Sequence, residues 1–253
     1  MSRNNVTPRL SKRKKKQAQI NAKTEEDIQK INFHLRQVQP LSSAQEDTWE
    51  AFFLKKNLLL HGVAGTGKSF ISLFLAVREL FEDDVYKKVI IIRSVVPTRA
   101  VGFLPGKLTE KIEVYEEPYQ QIFTELFERS DAYDYLKDKG VVEFISTSFI
   151  RGITLNDCIV VVDEIQNMDW GELSSVITRA GTNCKMIFCG DIRQSDFRLR
   201  EQVNRDDIID FIQVLKKMNE FTFIEFGVND IVRGPLVKSF IINSIELGRD
   251  IVT

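Results

Sequence analysis

Apolar residues along this chain gather into short, nearly unbroken runs with little alternation of apolar and polar positions. Six runs read as strands: NLLLH (57–61), KVIIIRS (88–94), VVEFIST (141–147), CIVVVDE (158–164), KMIFCGD (185–191) and FTFIEF (221–226). Between most of them lie longer stretches with helical spacing, at 68–81, 170–180 and 206–218. Nearly continuous apolar strands separated by helices predict an α/β fold, a mostly parallel sheet with helices on both faces. The longest interval, 106–136, carries Ile112, Tyr115, Tyr119, Ile122, Phe123, Leu126 and Phe127 at helical spacing. That stripe reads as core in preference to a platform for stacking bases. A short helix is predicted over 24–38, ended by Pro40. The first 23 residues are too polar to offset the entropy of ordering and read as a disordered arm. The expected partition is therefore arm 1–23, helix 24–38 and one nucleotide-binding domain 39–253.

Composition adds limits. The 253 residues are 43% hydrophobic and 28% charged, ordinary values for a globular protein. No apolar run approaches the ~18 residues of a membrane span, and the basic start is not followed by the apolar segment of a secretory signal. Cys158, Cys184 and Cys189 show neither CxxC spacing nor an even count. They read as reduced core thiols, and a cytoplasmic location is expected. The net charge of −1 conceals an asymmetry. Arg3, Arg9, Lys12, Arg13, Lys14, Lys15, Lys16 and Lys23 stand in the arm with no acid among them. The rest of the chain keeps 27 of the 35 basic residues against all 36 acids.

The strongest chemical signal is GVAGTGKS, residues 62–69, set between the first strand and a helix. A triphosphate needs donors that approach without side-chain interference. Glycine-rich backbone turned inward supplies them, and the following helix presents its positive end. Gly62, Val63, Ala64, Gly65, Thr66, Gly67, Lys68 and Ser69 form the expected cradle. Lys68 would reach the β and γ phosphates and Ser69 would ligate Mg²⁺. Asp163 and Glu164 follow the apolar run IVVV. Two acids there are expensive to bury unpaired. They are read as a metal anchor (Asp163, through water) and the base that polarises attacking water (Glu164); the plainer alternative is acids opening the next helix. GDIRQSDF, 190–197, leaves another strand at the same sheet edge, where ligands of parallel sheets bind. There Gly190 would allow a tight exit and Asp191 cap the turn. Gln194 would touch γ-phosphate and water, and Arg193 would bind phosphate or contact a neighbour. Gln45, expected before the helix that leads to the first strand, offers an amide for adenine or is simply a surface glutamine.

With these elements in order, the chain resembles the PhoH family, the phosphate-starvation-inducible P-loop ATPases. The resemblance rests on GVAGTGKS, VGFLPGKLTEKI with EEPY, FIRGITLND, VVVDEIQNM, ITRAGTNCKMIFCGDIRQSDF and VNDIVRGPLV. A Gly-Phe-Leu-Pro-Gly segment stands at Gly102 to Gly106 after a strand ending in Arg93. The matching stretches run from about residue 39 to 247. The resemblance implies a RecA-like P-loop NTPase core, similar to that of superfamily one helicases, with ATP hydrolysis and RNA or DNA association. It assigns adenine recognition to Gln45, the γ-phosphate sensor to Gln194 and an arginine finger to Arg233. The chain departs from the family in reading RSVVP where arginine is usually followed directly by proline, and RG where RH is usual.

Helicases of this type close nucleotide between two lobes, and the chain after the arm suits one lobe; a fused PIN-type nuclease domain is not expected. The finger is therefore expected from a neighbouring subunit, Arg233 first, Arg179 or Arg193 less so, in a homo-oligomeric ring with a hexamer favoured. The basic arm would bind nucleic-acid backbone without sequence preference; an acidic protein, anionic lipid or mere solubility are its other uses. Two function classes remain. One is an ATPase acting on RNA or single-stranded DNA. The other is a nucleotide-dependent switch or assembly factor acting on a protein partner. A small-molecule kinase is more distant, since no acceptor pocket is legible.

Overall fold

The computed structural model describes residues 33–82, 85–95, 108–191 and 203–248. Helix α1 spans Ser43–Phe53, followed by β1 (Asn57–Gly62), α2 (Lys68–Glu82) and β2 (Lys88–Arg93). Then come α3 (Leu108–Phe127), α4 (Ala132–Asp138), β3 (Val142–Ser146), β4 (Cys158–Asp163) and α5 (Trp170–Ile177). Strand β5 (Cys184–Gly190), α6 (Val203–Lys216), β6 (Phe221–Phe226) and α7 (Pro235–Glu246) complete the described chain. Short 3₁₀ turns lie at Thr147–Phe149, Ile165–Asn167 and Val228–Asp230.

All six strands pair in parallel, in the order β3-β2-β4-β5-β1-β6. Every expected strand is present within a residue or two of its predicted bounds. Because successive strand side chains point to opposite faces, the apolar runs divide between two cores. Leu58, Leu60, Val89, Ile91, Ile159, Val161 and Ile187 enter the core under α1 to α4. Leu59, Ile90, Ile92, Val160, Val162, Met186 and Phe188 enter the one under α5 and α6. A strand buried on both faces cannot alternate, which is why its sequence reads as a run. Strand β5 lies between β1 and β4, so the glycine-rich loop and the acid pair stand two strands apart: this is the RecA-like P-loop arrangement.

One expectation needs correction. Residues 33–41 are not helical. Phe33 and Leu35 alternate inward against the core beside α3 and α4, and the Arg36 N–H donates to the Leu126 carbonyl at 2.8 Å. Phe33 lies 5.5 Å from the Phe127 ring and 4.8 Å from Tyr135. Val38 also packs on this core, after two exposed residues, so no single period governs the stretch. The interval 106–136 holds two helices, α3 and α4, and its aromatic stripe is core: Tyr119, Phe123, Leu126 and Phe127 are buried. The arm 1–23, residues 24–32 of the predicted helix, Gly102 to Gly106, Arg193 and Gln194 lie outside the described residues. No described helix is long and apolar enough to cross a membrane.

Candidate nucleotide site

The carboxyl ends of β1, β2, β4 and β5 open into a cavity of about 610 Å³. Its walls include the loop residues 64–69, Arg93, Asp163, Glu164, Asp191 and Arg233. The loop begins where β1 meets β6. Gly62 has φ +123°, and a Cβ there would stand 2.1 Å from the Phe226 carbonyl oxygen, so only glycine fits. The Val63 N–H then donates to the same carbonyl at 2.8 Å, which starts the turn. Gly67 has φ +82° and delivers the chain into α2, whose amino end faces the cavity.

Lys68 is buried at the start of α2. Its ammonium donates to the Gly62 carbonyl at 3.1 Å, the Val63 carbonyl at 2.8 Å and Thr66 Oγ1 at 3.4 Å. Burial lowers its pKa, against the opposing pull of Asp191, Cys189, Asp163 and Glu164. Ser69 Oγ donates to Asp163 Oδ1 at 2.8 Å. Glu164 follows in a left-handed conformation, φ 54° and ψ 43°, which turns the chain away from β4. Burial, then the Asp163 carboxylate, pushes Glu164 above the usual carboxylate range, while Arg93, Gln166 and Lys68 oppose. A raised pKa makes a carboxylate a stronger base.

The hydroxyl of Ser69 and the carboxylates of Asp163 and Glu164 are hard oxygen donors of the kind Mg²⁺ takes. That ion keeps several waters and needs only one or two carboxylates beside substrate phosphates. Among the described residues no group of three or more His, Cys, Asp or Glu forms a protein-only metal cage. The donor set therefore fits a magnesium shared with a phosphate.

Gln45 lies within α1, not before it, because Ser42 is the N-cap and accepts the Gln45 N–H at 3.4 Å. Its amide ties the loop down: Nε2 donates to the Thr66 carbonyl at 2.9 Å and Oε1 accepts the Leu41 N–H at 2.9 Å. Gly190 leaves β5 without a positive φ; a Cβ there would meet Ile165 Cγ1 at 2.6 Å, so close packing explains it. Arg233 is among the residues that line the cavity. It lies in its own chain's cavity, with Cγ 3.0 Å from where a Cβ on Gly65 would stand. The adjacent Val232 N–H donates to the Gly65 carbonyl at 3.1 Å. Arg179 stands at the opposite, amino edge of the sheet, where its carbonyl accepts the Leu155 N–H.

Three residues escaped the sequence reading. Tyr119, on α3, donates its hydroxyl to Asp163 Oδ2 at 3.0 Å. Burial and Asp163 raise that hydroxyl's pKa well above its usual value, so it acts as a donor. Gln166 donates to Glu164 Oε2 and accepts the Asp191 N–H, at 3.1 Å, thereby joining the ends of β4 and β5. Arg93, noted only as a strand end, lines the cavity and lies 5.7 Å from the Tyr115 ring.

The PhoH-like protein family matches residues 37–245. The chain belongs to this family. It is 34% identical to the PhoH-like protein of Bacillus subtilis (strain 168) over 191 residues, 74% of this chain and 58% of that protein. It is 29% identical to protein PhoH of Escherichia coli over 199 residues, 78% and 55% of the two chains. The chain thus spans about half the length of the curated PhoH relatives it matches. Among solved structures, the large terminase from a thermophilic bacteriophage gives a TM-score of 0.49 at 12% identity, over 80% of this chain and 50% of that one. A PhoH-like chain with this loop, acid pair and strand order has the P-loop NTPase fold.

Proposed function

We propose that this chain binds ATP with Mg²⁺ at the carboxyl edge of the sheet and hydrolyses it. The reading is carried by the convergence of Lys68, Ser69, Asp163 and Glu164 in one cavity at the end of a glycine-rich loop. Loop N–H groups and the amino end of α2 would meet phosphate charge, and Lys68 would turn its ammonium to the β and γ oxygens. Ser69 and Asp163 would hold the magnesium, which neutralises developing charge on the transferred phosphoryl group. Glu164 would orient the attacking water and accept its proton, with Gln166 fixing the carboxylate.

Arg233 would act on the nucleotide of its own chain. The site then needs no arginine from a second subunit, and the ring expected on that ground has no part in completing it. The eight cations of residues 1–23 support RNA or single-stranded DNA as the partner, bound through the phosphate backbone with steep salt dependence.

The test is ATP turnover by wild type and Glu164→Gln, alone and with RNA, single-stranded DNA or duplex. Wild type should hydrolyse ATP faster with a single strand, and Glu164→Gln should bind ATP without turning it over. Turnover indifferent to every nucleic acid would overturn the partner reading and leave a nucleotide-dependent switch. No nucleotide binding at all would overturn the whole reading.

A further inference from the structure

Helix α3 touches the site at a point that the proposed chemistry does not use. Tyr119 is 1% exposed, and its ring lies 5.9 Å from that of Phe144. A phenylalanine would fill that space as well. The hydroxyl is an added polar group that burial penalises unless it is bonded, and the acceptor it takes is Asp163 Oδ2, at 3.0 Å. Oδ1 of the same carboxylate accepts from Ser69 at 2.8 Å. One donor on each oxygen removes the freedom of the carboxylate to rotate.

The donor on the α3 side is itself held firmly. On another part of the same helix, buried Glu116 accepts from the Tyr133 hydroxyl at 2.7 Å and from Lys137 Nζ at 2.8 and 2.5 Å. These bonds lock α3 to α4. One turn before Tyr119, Tyr115 lies beside Arg93, the cation that opposes the raised pKa of Glu164. Positions four apart share a helix face, so one face of α3 meets both the metal-side carboxylate and this arginine.

We propose that Tyr119 is a positioning residue for the magnesium site: its hydroxyl pins Asp163 Oδ2 so that Oδ1 faces the Ser69 side chain. This rests on the nucleotide reading above. Partners of this kind around metal-binding carboxylates are worth about 10- to 100-fold in metal affinity.

The test uses the full chain and a fluorescent, non-hydrolysable ATP analogue, titrated with Mg²⁺ from an EDTA baseline. Tyr119→Phe should raise the Mg²⁺ concentration for half-maximal tightening about tenfold. Analogue affinity in EDTA should be unchanged, and the melting temperature should move by no more than roughly 4 °C. Phe144→Leu, which loosens the ring packing without touching the carboxylate, should lower the melting temperature and leave the Mg²⁺ midpoint in place. An unmoved midpoint in Tyr119→Phe overturns the proposal, and so does an equal shift in Phe144→Leu. Failure of wild type to bind the analogue with or without Mg²⁺ removes the nucleotide reading and this inference with it; wild-type binding with an unmoved Tyr119→Phe midpoint removes this inference alone.

Discussion

Ser69 and Asp163, 94 positions apart in the chain, are joined by a hydrogen bond of 2.8 Å from hydroxyl to carboxylate. The bond links the first turn of α2 to the last residue of β4, across the end of β5. Only the strand order brings the two together. It also makes the hydroxyl a member of the proposed metal site before any phosphate arrives. Ser69→Ala should therefore lose at least tenfold of the Mg²⁺-dependent tightening of ATP binding while keeping the affinity seen in EDTA. Ser69→Thr, which restores a hydroxyl, should recover most of it. Calorimetric titration with and without Mg²⁺ reads both outcomes.

The loop's entry is a steric requirement. Gly62 pairs with Phe226 on β6, and a Cβ would lie 2.1 Å from that residue's carbonyl oxygen at a φ of +123°. Gly62→Ala must push β1 from β6 or distort the turn, a cost of about 3 kcal/mol or more. Thermal melting should show a fall of roughly 6 °C or more for a domain of this size. Gly65→Ala should be milder. Its Cβ meets only the side-chain atoms Arg233 Cγ at 3.0 Å and Ile241 Cδ1 at 3.3 Å, which can shift, although φ +74° adds strain.

Lys185 gives a pH signature remote from the nucleotide. It is 3% exposed on β5, donates to the Phe52 carbonyl at the end of α1 and sits 3.5 Å over the Phe52 ring. Burial lowers its pKa from 10.5 to about 8, with Glu79 opposing and Lys55 adding to the fall. Between pH 8 and 10.5 the unfolded chain binds more protons than the folded one, so stability rises with pH across that window. Below it both states are charged and the fold bears the cost of the buried ammonium. Lys185→Met should be more stable than wild type at pH 7 by on the order of 1–2 kcal/mol, after loss of the Phe52 bond is allowed for. The advantage should shrink toward pH 10, as measured by urea unfolding at several pH values.

What could be read in advance follows from how each feature is encoded. The six strands were legible because a strand covered on both faces must be apolar throughout. The glycine-rich loop and the acid pair stood out because each follows an apolar strand with residues that a buried strand does not carry. The helix predicted over 24–38 fails from Phe33 on because a few inward residues in a short segment satisfy period two nearly as well as 3.6; only packing, such as that of Phe33 on Phe127 and Tyr135, decides. Tyr119 was counted correctly as core and its chemistry passed unseen, since a helical stripe says nothing about a hydroxyl's acceptor. A tyrosine at a position where phenylalanine would serve was the available signal. The placement of Arg233 beside Gly65 depends on how the chain returns after β6, which no local pattern specifies.

Glu116 offers a test of how α3 is held. It is 4% exposed, with Tyr133 and Lys137 as partners. Glu116→Leu leaves the Tyr133 hydroxyl without its acceptor, whereas the half-exposed Lys137 can turn to water. The loss should be about 2–3 kcal/mol, below the 3–5 expected when both partners of an ion pair are fully buried. Lys137→Met should cost about 1 kcal/mol, since the Tyr133 bond survives. Chemical denaturation should give the order wild type, Lys137→Met, Glu116→Leu.

Whether nucleotide sites are shared between chains turns on which loop Arg233 serves. An arginine finger is worth about 10³ to 10⁵ in rate wherever it comes from. Its source is visible when two inactive variants are mixed. If Arg233 served a neighbour, Lys68→Ala subunits could lend their arginine to the intact loops of Arg233→Ala subunits, and turnover would return in mixtures. Here the Arg233 side chain lies against Gly65 of its own loop, and Val232 is hydrogen-bonded to that glycine. If Arg233 serves that loop, each variant lacks one half of a single site, and no pairing of chains supplies it. Mixtures of Lys68→Ala and Arg233→Ala should stay inactive at every ratio, with nucleotide still bound by Arg233→Ala alone. Recovered turnover would show that the arginine leaves its own cavity to complete another.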